Sequence, residues 1–190
     1  QWIAKKIIEK HNPTLVLIMG SSGKSMLSET MSQVLSRLQK TSTQVFADDI
    51  KTMMVNATGG GMFNSLKPAL LNSSFPEIII AETHNYKNGQ KELLGSIENK
   101  YIFIPWVSQY DIQQAGSPAK YLSKKCRLTK TSAKEFTIIY NKDVTGLEEA
   151  IQALAPKKAL SISARTDQAD FKAFGIESIQ ADDAHITNDY

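Results

Sequence analysis

The chain has 190 residues, 42% hydrophobic and 22% charged, with a net charge of +3 and a single cysteine, Cys126. That fits one soluble globular domain, with perhaps a short appendage and a core hiding roughly 70% of the unfolded surface. Scattered Lys and Arg speak against a nucleic-acid specialist, one cysteine excludes an internal disulfide and makes the reducing cytoplasm the default compartment, and no apolar run is long enough to span a membrane.

Residues 1–13 read as a leading amphipathic helix built on Trp2, Ile3, Ile7 and Ile8, ending near His11-Asn12-Pro13. There is no signal-peptide core, and Gln1 stands where an initiator Met would, so the chain reads as a piece of something longer. Leu15 to Met19 is a continuous apolar run before a Gly/Ser turn, the pattern of a strand buried on both faces of a parallel sheet. Leu27, Met31, Val34, Leu35 and Leu38 then mark one face of a long helix. Thr43 to Phe46 reads as a strand, residues 47–63 as irregular around Gly59-Gly60-Gly61, and Leu66, Ala69 and Leu70 as a short helix.

Glu77 to Ala81 is a second buried strand, Leu93, Leu94 and Ile97 a helix, and Tyr101 to Ile104 a strand. Ser117-Pro118 opens a helix running to about Arg127. Phe136 to Tyr140 is a strand, and Thr145 to Glu148 a capping box before a helix that turns Leu147, Ala150, Ile151 and Leu154 inward. A strand at Leu160 to Ser163, a helix around Asp167 to Phe174 and a strand at Ile176 to Ile179 continue the alternation, with 181–190 left as a tail. Such alternation predicts an α/β, doubly wound, mostly parallel sheet over about 14–180. Ligands of such sheets sit beyond the carboxyl ends of the strands.

The chemistry gathers there. Gly20-Ser21-Ser22-Gly23-Lys24-Ser25 lies between the first strand and the long helix. The glycines let backbone N–H groups approach phosphate oxygens, the helix start adds partial positive charge, Lys24 brings a mobile cation, and the Ser25 hydroxyl suits Mg²⁺. A full Walker motif needs glycine five residues before Gly23, and Ile18 is there instead.

A shortened Gly-x-x-Gly-Lys-Ser loop directly after an apolar strand resembles the Mur ligase family, whose central domain is P-loop NTPase-like. The resemblance covers about residues 14 to 180. It implies that Glu82, ending the strand from Glu77, helps hold Mg²⁺. It also implies a helical lysine, matched by Lys125 nine residues after Gly116, that is carbamylated in several members. The family's metal-associated histidine falls on Asp111, five residues before Gly116 and still able to ligate Mg²⁺ through oxygen. Trp106 replaces the family's asparagine. Asn141-Lys142-Asp143 looks like the family's Asn-x-Asp-Asp turn, making Asn141 a nucleotide contact, although a capped turn explains these residues equally well.

The resemblance implies an ATP- and Mg²⁺-dependent ligase that joins a small-molecule carboxylate to an amine through an acyl phosphate, in cell-wall precursor synthesis. Helix, Pro13 and loop strand look most like the branch adding D-alanyl-D-alanine. Lys24 and Lys125 are then the catalytic candidates, and flanking N- and C-terminal domains are expected outside this chain. A non-catalytic nucleotide-binding descendant and another P-loop enzyme, such as a small-molecule kinase, remain the alternatives. His84 is a weaker site candidate, Asp48-Asp49 reads as a solvated turn, and His11 and His185 as structural or exposed.

Overall fold

The computed structural model describes residues 10–38, 40, 42–46, 77–82, 97–126 and 128–173. They form seven strands, β1 (Thr14–Ile18), β2 (Ser42–Phe46), β3 (Ile78–Glu82), β4 (Lys100–Ile104), β5 (Thr137–Asn141), β6 (Lys158–Ser163) and β7 (Phe171–Lys172). The five helices are α1 (Lys24–Arg37), α2 (Gln109–Ala115), α3 (Pro118–Lys124), α4 (Lys130–Ala133) and α5 (Leu147–Leu154). The strands make one sheet in the order β2-β3-β1-β4-β5-β6-β7, parallel at every pairing. The doubly wound sheet expected from the alternation is therefore present.

β1 explains how the two layers arise. Alternate residues of a strand point to opposite faces. Leu15, Leu17 and Met19 enter the larger core with Tyr121, Leu122, Phe136 and Ile151. Val16 and Ile18 join Ile80 on the other face, against Leu27, Met31 and Leu35 of α1. Both faces are covered, so the apolar run is continuous. Each fully buried Leu or Ile contributes about 1.5–3 kcal/mol relative to exposure.

The strand order reverses across β1. β2 and β3 lie on one side of it, and β4 to β7 on the other. Ile18 is in register with Glu82 on β3 and with Phe103 on β4. The segments leaving β1, β3 and β4 therefore emerge at one level of the same edge, the crevice where such sheets bind ligands.

Several expectations need correction. α1 buries Lys24 and Ser28 and packs Met31 and Leu35 inward, whereas Val34 is 49% and Leu38 65% exposed. The inward stripe is rotated because the helix begins with a lysine drawn under the loop. The capping box at Thr145 does not form. Gly146 is the N-cap in a left-handed conformation with no side-chain cap, and Glu148 accepts from Lys142 Nζ at 3.1 Å instead. Residues 167–173 are not helical: Asp170 accepts from both the amide and the hydroxyl of Ser161 at 2.7 Å, which turns the chain back to pair β7 with β6. The expected elements at 1–9, 47–76, 83–96 and 174–190, with His84, His185, Asp48 and Asp49, lie outside the described residues.

Candidate functional site

The loop after β1 is shaped by two glycines in conformations that L-residues rarely adopt, Gly20 at φ 134° and Gly23 at φ 77°. Gly20 passes close against the segment that leaves β4: a β-carbon there would sit 2.5 Å from the carbonyl oxygen of Trp106. The same carbonyl accepts from the Ser21 amide at 2.9 Å. Gly23 then serves as N-cap of α1, and a β-carbon there would stand 3.9 Å from Pro105. Pro105 and Trp106 thus form the floor of the loop.

Lys24 is buried, and its ammonium donates to the carbonyls of Gly20 at 3.0 Å and Ser21 at 3.4 Å. It is folded back along the loop that a phosphate would occupy. Ser25, the next residue, donates its hydroxyl to Glu82 Oε2 at 2.7 Å. The parallel register between β1 and β3 produces that contact, because it brings the end of β3 beside the loop. A hydroxyl and a carboxylate oxygen are hard donors suited to Mg²⁺, which is usually held by one or two carboxylates together with phosphate oxygens and waters. Among the described residues no group of three His, Cys, Asp or Glu side chains gathers, so the protein would supply only part of such a shell.

On the other side, Ser21 Oγ accepts from the Ser108 amide at 2.9 Å. Ser108 caps α2: its hydroxyl accepts from the Asp111 amide and donates to Asp111 Oδ2, both at 3.1 Å. The Asp111 carboxyl is held below the usual carboxylate range, first by a hydrogen bond from Ser21, then against burial by Ser108 and the positive charges of Lys125 and Lys24. Asp111 and Lys125, singled out by spacing, are therefore electrostatic neighbours. Tyr121 packs behind them, its phenol pushed up to about 12, chiefly by burial. The Cys126 thiol is also pushed up to about 12 by burial, which suits a packing residue rather than a nucleophile.

A cavity of about 240 Å³ adjoins the loop at the ends of β4, β5 and β6, lined by Leu27, Pro105, Asn141, Asp143 and Ser163 among others. Asn141 faces it, but its Oδ1 already accepts from the Asp143 amide at 2.8 Å, the capped turn that was the competing reading. Asp143 in turn accepts from Ser163 Oγ at 2.5 Å and the Ala164 amide at 2.9 Å. Asn141 lies in the cavity wall and bonds to Asp143, whereas Ser25 bonds to Glu82 and Ser21 to Ser108.

α2, with Ser108 as its cap, is the part that the sequence reading missed. Ser108-Gln109-Tyr110-Asp111 has capping-box spacing, and Gly116 follows at the stop in a left-handed conformation. The signal was present and short.

No protein-family model and no curated protein sequence matches the chain. Solved structures do. Its structural neighbours are Mur ligases. The MurF ligase from Thermotoga maritima in complex with ADP superposes with a TM-score of 0.54 at 16% identity, over 86% of this chain and 35% of that one. A MurF structure from Acinetobacter baumannii gives 0.57 at 16% identity, over 92% and 35%. A UDP-N-acetylmuramoyl-L-alanyl-D-glutamate–2,6-diaminopimelate ligase gives 0.51 at 14% identity, over 88% and 36%. At these identities the likeness is one of fold, and the chain spans about a third of the length of the ligases it matches. The Mur ligase fold anticipated from the loop is thus found.

Proposed function

We propose that the chain is the nucleotide-binding central domain of a Mur-type ligase, which forms an amide bond at the expense of ATP. The observation that carries this reading is the Ser25–Glu82 contact of 2.7 Å beside a two-glycine loop that opens a helix. A hydroxyl and a carboxylate side by side at that loop are oxygen donors of the kind Mg²⁺ takes, which supports the reading. The Mur ligase neighbours, one crystallised with ADP, support the same assignment.

In that reaction a substrate carboxylate oxygen attacks the γ-phosphorus and ADP departs. The amine nitrogen then attacks the acyl carbon, a proton is lost, and phosphate departs. Transferring a phosphoryl group asks the protein mainly for positioning and charge stabilisation. Lys24 would leave the Gly20 and Ser21 carbonyls for phosphate oxygens, and the amides at the start of α1 would face the same anion. Ser25 and Glu82 would hold Mg²⁺, which supplies electrostatic stabilisation of the phosphates. The adjoining cavity, walled by Leu27, Pro105 and Asn141, would take the base. The carboxylate and amine substrates would be held by further domains, in keeping with a chain about a third as long as its neighbours. A neighbour named as a UDP-N-acetylmuramoylalanyl-D-glutamyl-2,6-diaminopimelate–D-alanyl-D-alanyl ligase supports a nucleotide-linked cell-wall peptide and D-alanyl-D-alanine as the two substrates.

Lys125 stands beside Asp111 in this scheme. A carbamate there would set a second negative charge beside the Asp111 carboxylate, which opposes carbamylation. On this reading Lys125 stays uncarbamylated, and intact-mass analysis should find no added carbon dioxide on it. Titration calorimetry tests the whole reading. Mg·ATP should bind, and Lys24→Ala should weaken it by roughly tenfold to a hundredfold, the loss of a charge-assisted hydrogen bond worth about 1.5–3 kcal/mol. Equal affinity in the variant would remove the loop from the nucleotide site.

A further inference from the structure

We propose that the base site takes purine nucleotides without telling adenine from guanine, which rests on reading residues 20–25 as a phosphate loop and the cavity beside it as the place of the base. The cavity, about 240 Å³, is smaller than the roughly 300–1,000 Å³ of pockets that enclose a whole drug-sized ligand. That size suits a base alone, with ribose and phosphates running out over the loop.

The two purines differ in the groups on one edge. Adenine presents an acceptor at N7 and an amino donor at N6, whereas guanine presents acceptors at N7 and O6. A site selects adenine by aiming an acceptor at the amino group. Sites built on such a hydrogen bond reject the wrong ligand by large factors, while apolar pockets separate similar ligands weakly. Selectivity therefore depends on which acceptors the cavity has to give.

Its wall is mainly apolar, with Leu27, Phe103, Pro105, Ile139 and Ile162. Every side-chain oxygen of Asn141, Asp143 and Ser163 already accepts from a protein donor. Asn141 Oδ1 takes the Asp143 amide at 2.8 Å. One carboxylate oxygen of Asp143 takes the Ser163 hydroxyl, and the other takes the Ala164 amide at 2.9 Å. Ser163 Oγ in turn accepts from the amides of Arg165 at 2.9 Å and Thr166 at 2.8 Å. Backbone carbonyls are used in the same way. Ile162 accepts from the Lys142 amide at 2.8 Å, Ser163 from the Ala173 amide at 2.9 Å, and Asn141 from the Val144 amide at 3.4 Å. Register explains the closure: Asn141 pairs with Ile162, so β5 and β6 end at one level and their turns bond to each other. With its oxygen committed, the Asn141 side chain is left with its amino group, a donor. A donor finds N7 on either purine. GTP should therefore serve as phosphoryl donor as ATP does.

Titration calorimetry of the 190-residue chain with Mg·ADP and with Mg·GDP tests this. The two dissociation constants should agree within about tenfold, the low end of what apolar contacts distinguish. A preference beyond tenfold for either base would overturn the proposal and leave the phosphate loop standing; a wall oxygen would then accept from the base in addition to its protein donor. If neither nucleotide binds, the phosphate-loop reading fails and the proposal with it. Asn141→Asp keeps an oxygen for the Asp143 amide while removing the donor, so it should weaken both nucleotides by the same factor, about tenfold. A loss confined to one of them would show Asn141 reading the base, and no loss in either would take the base out of the cavity; each would overturn the proposal. Should Asn141→Asp not fold, the wild-type comparison decides alone.

Discussion

Alanine at the two loop glycines should give unequal losses, and the inequality follows from the structure. Gly23 has φ 77°, and a β-carbon there would touch only Pro105 at 3.9 Å, an ordinary contact. Gly23→Ala therefore meets the conformational cost alone, about 1–2 kcal/mol for a left-handed residue. Gly20 has φ 134°, and its β-carbon would collide with the Trp106 backbone oxygen at 2.5 Å. Backbone cannot swing aside as a flexible side chain does. Gly20→Ala combines backbone strain of about 1–3 kcal/mol with overpacking of similar size. The sum, roughly 2–6 kcal/mol, is a large part of the 5–15 kcal/mol that holds a domain together. Urea unfolding followed by far-ultraviolet circular dichroism should show the midpoint falling further for Gly20→Ala than for Gly23→Ala. The loop must part from Trp106 to admit the methyl group, so ADP affinity should fall with it. Equal midpoints for the two variants would mean that the loop does not lie against Trp106, and the floor of the site would be wrongly placed.

Glu82→Gln keeps an acceptor for Ser25 but removes the charge, so nucleotide binding should need at least roughly tenfold more Mg²⁺, while binding in EDTA stays unchanged. Cys126 is buried with its thiol pushed up to about 12, so iodoacetamide at pH 8 should label it only after unfolding; rapid labelling of the native protein would refute its enclosure. Acid should loosen residues 164–173 early. Hydrogen bonds from the Ser161 amide and hydroxyl hold Asp170 below the usual range, and those from Ser163 and Ala164 do so for Asp143 against the opposing effect of burial. A depressed carboxylate stabilises the fold above its unfolded pKa, about 3.9, and that contribution is lost as pH falls through the depressed value. Amide protection across 164–173, taken relative to the intrinsic exchange rate at each pH, should fall between pH 5 and pH 3, and fall less in Asp170→Asn.

The fold was legible because its strongest signal is strong everywhere. Leu15 to Met19 and Ile78 to Ala81 are apolar without alternation, and only a strand covered on both faces needs that. The failures share one cause. At Glu148 and Asp170 the local rule was sound, but a partner six or nine residues earlier, Lys142 or Ser161, made a better hydrogen bond than the cap or helix on offer. Short polar side chains compete with secondary structure in this way, and the winner depends on tertiary neighbours. The buried stripe of α1 departs from its apolar spacing for a similar reason, since Lys24 must turn inward to reach the Gly20 carbonyl.

The candidate site was legible to the extent that register dictated it. Once Gly20 to Ser25 follows β1, and Glu82 ends a strand parallel to β1, pairing Ile18 with Glu82 leaves Ser25 and the carboxylate little choice but to meet. Nothing comparable fixed Asp111. Its place was inferred from spacing to Gly116, which says where a residue lies along the chain but not which group it serves. Two facts outside that spacing decide its surroundings: Ser108 begins a helix, and Ser21, 87 residues earlier, presents its hydroxyl to that helix start. Both depend on Trp106, whose carbonyl holds the Ser21 amide whatever its side chain may be. A substitution that looks disruptive in the sequence is thus silent where the contact runs through backbone. At Asp111, by contrast, the contact with Ser108 runs through the side chain, so a substitution there cannot be silent in the same way.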